Sequence, residues 1–173
     1  MSASADREIY AGRILTLRLT HVPTADGRLA AREIVEHAPG AAVVAVDDHG
    51  KVLLVRQWRP AVRAALLELP AGLVDPGERP IDCAARELAE ETGFSARHLE
   101  PLATFYSSPG FCTEVLHLFT ASGLLPSSVP RDEDEHIEVV RLPLAEAIAQ
   151  VMDNEISDAK TITGLLAYAR RTS

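Results

Sequence analysis

Two apolar, β-branched runs, residues 41–46 and 52–57, flank the tetrapeptide Asp47-Asp48-His49-Gly50 and read as a hairpin of two strands. Upstream, residues 9–10 and 14–19 alternate as short strands, and Asp26-Gly27 marks a turn between two strand-like stretches. Residues 31–37 continue as a strand until Pro39-Gly40 breaks it, and residues 1–8 read as frayed. Downstream, residues 99–107 and 114–121 are strand-like, 122–135 a Pro/Ser-rich and acidic loop, and 137–141 another strand. Helical period governs 144–153, 159–171 and the stretch after Pro80, whose missing N–H suits a first helical turn. In that stretch Ile81, Ala84, Ala85 and Leu88 form an apolar stripe, and Gly93 reads as the C-cap. The order is mixed α/β, with no internal repeat and no second hydrophobic core for the β-rich first forty residues.

The polar face of the Pro80 helix departs from this plain picture. Glu87, Glu90 and Glu91 stand at i, i+3 and i+4, so three carboxylates share one face. Like charges at that spacing cost roughly a few tenths of a kcal/mol per pair on an isolated helix. A sequence that accepts this repulsion has a cation to hold, and hard carboxylate oxygens favour magnesium, with manganese as the alternative. Magnesium commonly sits between one or two carboxylates and the phosphates of a substrate. The loop before the helix fits that use: Leu69-Pro70-Ala71-Gly72 and Asp75-Pro76-Gly77 frame a tight excursion, with Gly72 and Gly77 able to take positive φ or admit a ligand. Arg86, four residues before Glu90, is placed to hold that carboxylate.

Composition narrows the classes. A chain of 173 residues, 47% hydrophobic, holds one enzyme-sized domain, with room for a small appended element. Its net charge of −8 argues against nucleic acid or an anionic membrane as partner. Cys83 and Cys112 offer neither a disulfide framework nor a zinc site. No run approaches a membrane span and no apolar leader opens the chain, so the cytoplasm is the default.

Gly72, Glu78, Arg86, Glu87, Leu88, Glu90, Glu91, Gly93 and Phe94 match, position by position, the signature of the Nudix hydrolases, and the chain resembles that family. Phe94 stands where an aliphatic residue is commoner. Against this, the bland reading of the glutamates as a solvated helix face is weak. Further segments resemble the ADP-ribose pyrophosphatase branch: Pro109, sixteen residues past Gly93; Arg32 to His37; Val55 to Pro60; Glu68 to Gly72; and Asp158-Ala159-Lys160-Thr161. The resemblance implies an α/β/α sandwich around a mixed sheet in residues 41–173, with residues 1–40 as a β-rich dimerisation element.

It also implies roles. Glu87 and Glu91 are the principal metal ligands, with Glu90 and the Ala71 carbonyl beside them and Glu78 further out. Arg56 and Arg59 flank Trp58 as forked grips for a diphosphate, or else are ordinary surface arginines. Arg32 and Glu33 lie near the adenine, often across a dimer interface, or form a solvated edge pair. Glu68 accepts from ribose hydroxyls or serves the structure; Pro109 and Gly110 belong to the substrate loop. The general base is Glu135, with Glu133 second, on an acidic loop whose mobility suits closure. The expected activity is magnesium-dependent cleavage of ADP-ribose to AMP and ribose 5-phosphate by a homodimer. The alternatives are a broader nucleoside-diphosphate-sugar pyrophosphatase and a non-catalytic ADP-ribose sensor.

Overall fold

One strand, β4 (Gly40–Val46), organises the fold, and six of its residues are buried. The computed structural model of the protein describes residues 6–129 and 137–172. The strand's two-residue period sends Ala42 and Val44 into one core layer and Ala41, Val43 and Ala45 into the other. Alanines and valines suit this place, because helices close over both faces. α1 (Pro80–Thr92) covers the second layer with Cys83, Ala84 and Leu88. α2 (Leu144–Met152) and α3 (Ala159–Thr172) cover the first with Ala147, Val151 and Leu165. Gly164 lets α3 approach the sheet closely: a Cβ there would lie 2.6 Å from Leu69 Cδ1. The result is the expected α/β/α sandwich.

The sheet is mixed. β4 pairs in parallel with β9 (Val115–Pro126), whose other neighbour is β8 (Phe94–Tyr106), antiparallel. On its far side β4 meets β5 (Lys51–Arg59), which carries β10 (Glu138–Pro143). β4 and β5 pair only at Ala45–Leu53 and Val46–Val52 and then splay apart. Beyond that point β5 takes β6 (Ala64–Glu68) and β4 takes β7 (Ala71–Leu73). The split between them is where the chemistry gathers.

β1 (Arg7–Ala11), β2 (Leu15–Pro23) and β3 (Leu29–His37) form a separate antiparallel meander. Its last strand runs into β4 with only Ala38 and Pro39 between. The Val35 N–H donates to Phe111 O (2.7 Å) and the Thr113 N–H to Val35 O (2.9 Å), tying this sheet to the turn after β8.

Several boundaries differ from expectation. Arg7 and Glu8 belong to β1 rather than to a frayed end. β9 continues to Pro126 through residues read as loop, because its end pairs with the start of β8, Phe94 opposite Pro126. Ala85 is exposed; Cys83 and Ala89 take its place in the apolar face of α1. Among the described residues no helix is long and apolar enough to cross a membrane.

Candidate functional site

α1 starts at Pro80 and ends at Gly93, whose left-handed backbone (φ 76°) lets its N–H reach Ala89 O at 2.9 Å. The polar side of this helix is organised by Arg86. Its Nε and Nη2 donate to Glu78 Oε1 and Oε2 (3.0 and 3.1 Å). Its Nη1 donates to Glu87 Oε1 (2.6 Å) and Glu90 Oε2 (3.1 Å), and Nη2 also to Leu73 O (3.2 Å). One guanidinium thus sits among three carboxylates and offsets the repulsion that the spacing imposes. The bonds from Arg86 hold Glu78 below the usual carboxylate range, and the same bonds raise the arginine. Burial pushes the Cys83 thiol beneath this group up to about 12, so it is a packing residue, not a nucleophile.

Gly72 is required by contact rather than by φ. A Cβ there would lie 1.8 Å from Glu87 Oε1, and Gly72 is not among the glycines with positive φ, whereas Gly77 is. Glu91 does not stand on the solvated side of the helix. It is buried, and its Oε2 accepts the Ala71 N–H at 2.9 Å, so α1 is stapled to β7. Glu87, Glu91, Gly72 and Ala71 are therefore brought together.

A second polar cluster occupies the split in the sheet. Glu68, 1% exposed, accepts from Arg59 Nε and Nη2, both at 2.7 Å, and from Lys160 Nζ. Lys160 also pairs with Asp158 (3.1 Å), which caps α3 by accepting the Thr161 N–H (3.0 Å) and Oγ1–H (2.6 Å). Thr161 Oγ1 in turn accepts the Leu69 N–H at 2.8 Å. Burial pushes the Glu68 carboxyl up, but the bonds and charges of Arg59 and Lys160 outweigh it and leave the group below its ordinary value of 4.5. A native pKa below the unfolded one gives stability that is present above pH 4.5 and is lost as the pH falls through the native value. Glu78 acts with the same sign. Thermal unfolding at graded pH should show a plateau above about pH 5 and a decline below it; a melting temperature unchanged down to about pH 3 would contradict this.

Between the clusters lies a cavity of about 350 Å³, lined by Gly40, Arg59, Ala71, Gly72, Ser107, Glu114 and Lys160 among others. The two clusters hold six carboxylates, Glu68, Glu78, Glu87, Glu90, Glu91 and Asp158, and Glu114 on the cavity wall adds a seventh, against three cations, Arg59, Arg86 and Lys160. An anionic phosphate ligand needs added positive charge in such a place, and the all-oxygen donor set suits a hard divalent cation. Among the described residues no three His, Cys, Asp or Glu side chains converge on one point in this arrangement, and Arg86 stands among the carboxylates.

The other predicted residues are distributed unevenly. Arg59 lines the cavity, but the period of β5 puts Arg56 on the opposite face, where it pairs with Glu138 at 3.3 Å. The two arginines of one chain therefore do not form one grip. Both oxygens of Glu68 are engaged by Arg59 and Lys160. Arg32 and Glu33 are exposed neighbours on β3, and Arg32 donates to the Ala31 carbonyl (2.9 Å). Pro109 and Gly110 are exposed on the turn that ties to β3, while Ser107 before them reaches the cavity. Glu133 and Glu135 lie outside the described residues. Lys160, Asp158 and Glu114 also stand at the cavity, and the sequence singles out only the Asp158-to-Thr161 segment among them, as a resemblance.

Residues 36–164 match the model of the NUDIX domain. The chain is 40% identical over 159 residues to an ADP-ribose pyrophosphatase of Bacillus subtilis, covering 91% of this chain and 86% of that one. It is also 40% identical over 149 residues to a GDP-mannose pyrophosphatase of Yersinia enterocolitica, covering 80% and 77%. A crystal structure described as an ADP compounds hydrolase superposes with a TM-score of 0.87 at 24% identity, over 98% of this chain and 92% of the other, which is a likeness of fold.

Proposed function

The chain belongs to the Nudix family and is a Nudix hydrolase, and from that premise we propose that it cleaves ADP-ribose to AMP and ribose 5-phosphate with magnesium. The observation that carries the reading is the cavity lined by Arg59 and Lys160 and by Ala71 and Gly72, against which the signature carboxylates Glu91 and Glu87 stand, in a chain 40% identical to an ADP-ribose pyrophosphatase. Glu87, Glu91, Glu90 and the Ala71 carbonyl would hold the cation. When bound, a divalent ion polarises phosphoryl oxygens and lowers the pKa of water. The protein's own part is to orient the diphosphate with Arg59, to fix the carboxylates with Arg86 and Gly72, and to take up a proton. Water adds to one phosphorus, the bridging P–O bond breaks, and the proton lost by water goes to Glu135, with Glu133 as the second candidate. Intact carboxylates favour turnover over binding alone.

The GDP-mannose pyrophosphatase relative favours a second reading, a broader action on nucleoside-diphosphate sugars. A panel of ADP-ribose, GDP-mannose and other nucleotide sugars with magnesium or manganese, read by released phosphomonoester, separates them. A kcat/KM for ADP-ribose about tenfold or more above the rest supports the first reading, and equal values support the second. No turnover of any would sink both.

The exposed Ile9, Tyr10, Ile14 and Leu29 of the N-terminal meander support a homodimer through that sheet. Sedimentation at the mass of one chain would overturn it. We place the enzyme in the cytoplasm, in keeping with free Cys83 and Cys112; recovery in an envelope fraction would contradict that.

A further inference from the structure

We propose that Glu68 is a positioning residue that holds Arg59 and Lys160 side by side as a two-cation clamp for a diphosphate, without touching substrate itself. This deepens the function proposed above and rests on it for the identity of the substrate, but not for the chemistry of the clamp.

Three observations carry the inference. First, Glu68 is inaccessible: it is 1% exposed, and both carboxylate oxygens already accept bonds from the two cations. A ribose hydroxyl has no route to it. Second, Arg59 and Lys160 converge on the same oxygen, Oε2, from different elements, β5 and the first turn of α3. Two cations so close repel each other, and the buried carboxylate is what makes the pair stable. Third, the clamp is open on the side that matters. Arg59 remains 39% exposed and lines the cavity with Lys160, Ala71 and Gly72. Arg59 binds Glu68 through Nε and Nη2, which leaves Nη1 as the guanidinium nitrogen not committed to it. Lys160 donates to Glu68 and stands 3.1 Å from Asp158 as an ion pair, and it lines the same cavity.

The anchorage is rigid on both sides. Asp158 caps α3 and holds Lys160, while Thr161 ties the same turn to the Leu69 N–H, next to Glu68. Stability alone does not explain such a cluster, since apolar side chains of the same volume commonly serve a fold as well or better. Donors fixed before the ligand arrives need no reorganisation when it binds, and that is what a positioned phosphate grip provides.

The test is a cycle of Glu68→Gln, Lys160→Met and the double variant, each checked to be folded at the assay temperature, with Glu68→Gln expected to melt below the parent. Two readouts are needed: kcat/KM for ADP-ribose, and calorimetric affinity for inorganic diphosphate and for AMP with magnesium. Glu68→Gln should lower kcat/KM and diphosphate affinity by about tenfold to a hundredfold. The AMP affinity should stay within about twofold, because one phosphate does not need both cations. In the double variant the loss should match the larger single loss rather than the product of the two, since Glu68 acts through Lys160 and Arg59. Multiplicative losses, an equal fall in AMP affinity, or no effect of Glu68→Gln would each overturn the proposal, as would a parent that does not bind diphosphate. A parent that binds diphosphate in a Glu68-dependent way but cleaves no nucleotide sugar would sink the proposed activity and leave the clamp standing. If Glu68→Gln does not fold, the cycle of Arg59→Lys with Lys160→Met takes its place: coupling above about threefold supports a shared anchor, and additivity overturns it.

Discussion

Glu87→Gln lowers kcat for diphosphate hydrolysis about a thousandfold and leaves the melting temperature close to that of the parent, if Glu87 is a metal ligand. The size follows from the chemistry lost. Charge stabilisation by a bound divalent ion is worth several kcal/mol, and each 1.36 kcal/mol is about tenfold in rate. The small effect on folding follows from the geometry. Glu87 Oε1 accepts a bond from Arg86 Nη1 at 2.6 Å, and the amide oxygen of a glutamine accepts it as well. Removing one negative charge from a helix face that carries three relieves repulsion rather than adding to it. Glu91→Gln tests the same idea in a different setting, because Glu91 is buried and its bond to the Ala71 N–H survives the change. The measurement is kcat at saturating magnesium, with thermal melts alongside. Turnover near the parental level in both variants would end the assignment of these two residues to the metal.

Why some of this was legible in the sequence and some not is a question of range. The loop, α1 and its cap were readable because every determinant is local: Pro80 at the start, Gly93 at the end, and carboxylates three and four residues apart. β4 was readable because a strand buried on both faces is apolar throughout. β6 and β7 were not, since each is short and is specified by partners brought in when β4 and β5 splay. The same limit applies to the site. Periodicity along β5 already separates Arg56 from Arg59, a signal available from the two-residue period but overridden by their closeness in sequence. Lys160 reaches Glu68 across 92 positions, and nothing local at either end announces the contact. Glu91 shows the opposite error. The helical period groups it correctly with Glu87, but which side of that group faces β7 depends on how α1 docks.

Gly72→Ala should separate folding from turnover more cleanly than any change to a charged group. The added Cβ would lie 1.8 Å from Glu87 Oε1, 2.2 Å from Cδ and 2.8 Å from Oε2, and all three nearest atoms belong to that one side chain. The clash is therefore with the far end of a flexible residue, which can turn away, and not with the backbone. Nor does the backbone at Gly72 demand glycine, since its φ is not in the positive range. Alanine even restrains the unfolded chain, which contributes up to about 1 kcal/mol in its favour at a compatible site. Against that stands the loss of one acceptor for Arg86, which keeps its bonds to Glu78 and Glu90. Stability should thus change by no more than about 1 kcal/mol in either direction. Activity is another matter. The methyl group occupies the place of the carboxylate, so Glu87 cannot return to it, and a displacement of about 1 Å in a positioned catalytic group costs on the order of a hundredfold. Raising magnesium should not restore kcat, because the ligand is displaced rather than weakened. Parental turnover with an unchanged melting profile would mean that the position of Glu87 against Gly72 is not its working position. The requirement for glycine at this point of the signature would then lie in access for substrate, not in room for the carboxylate.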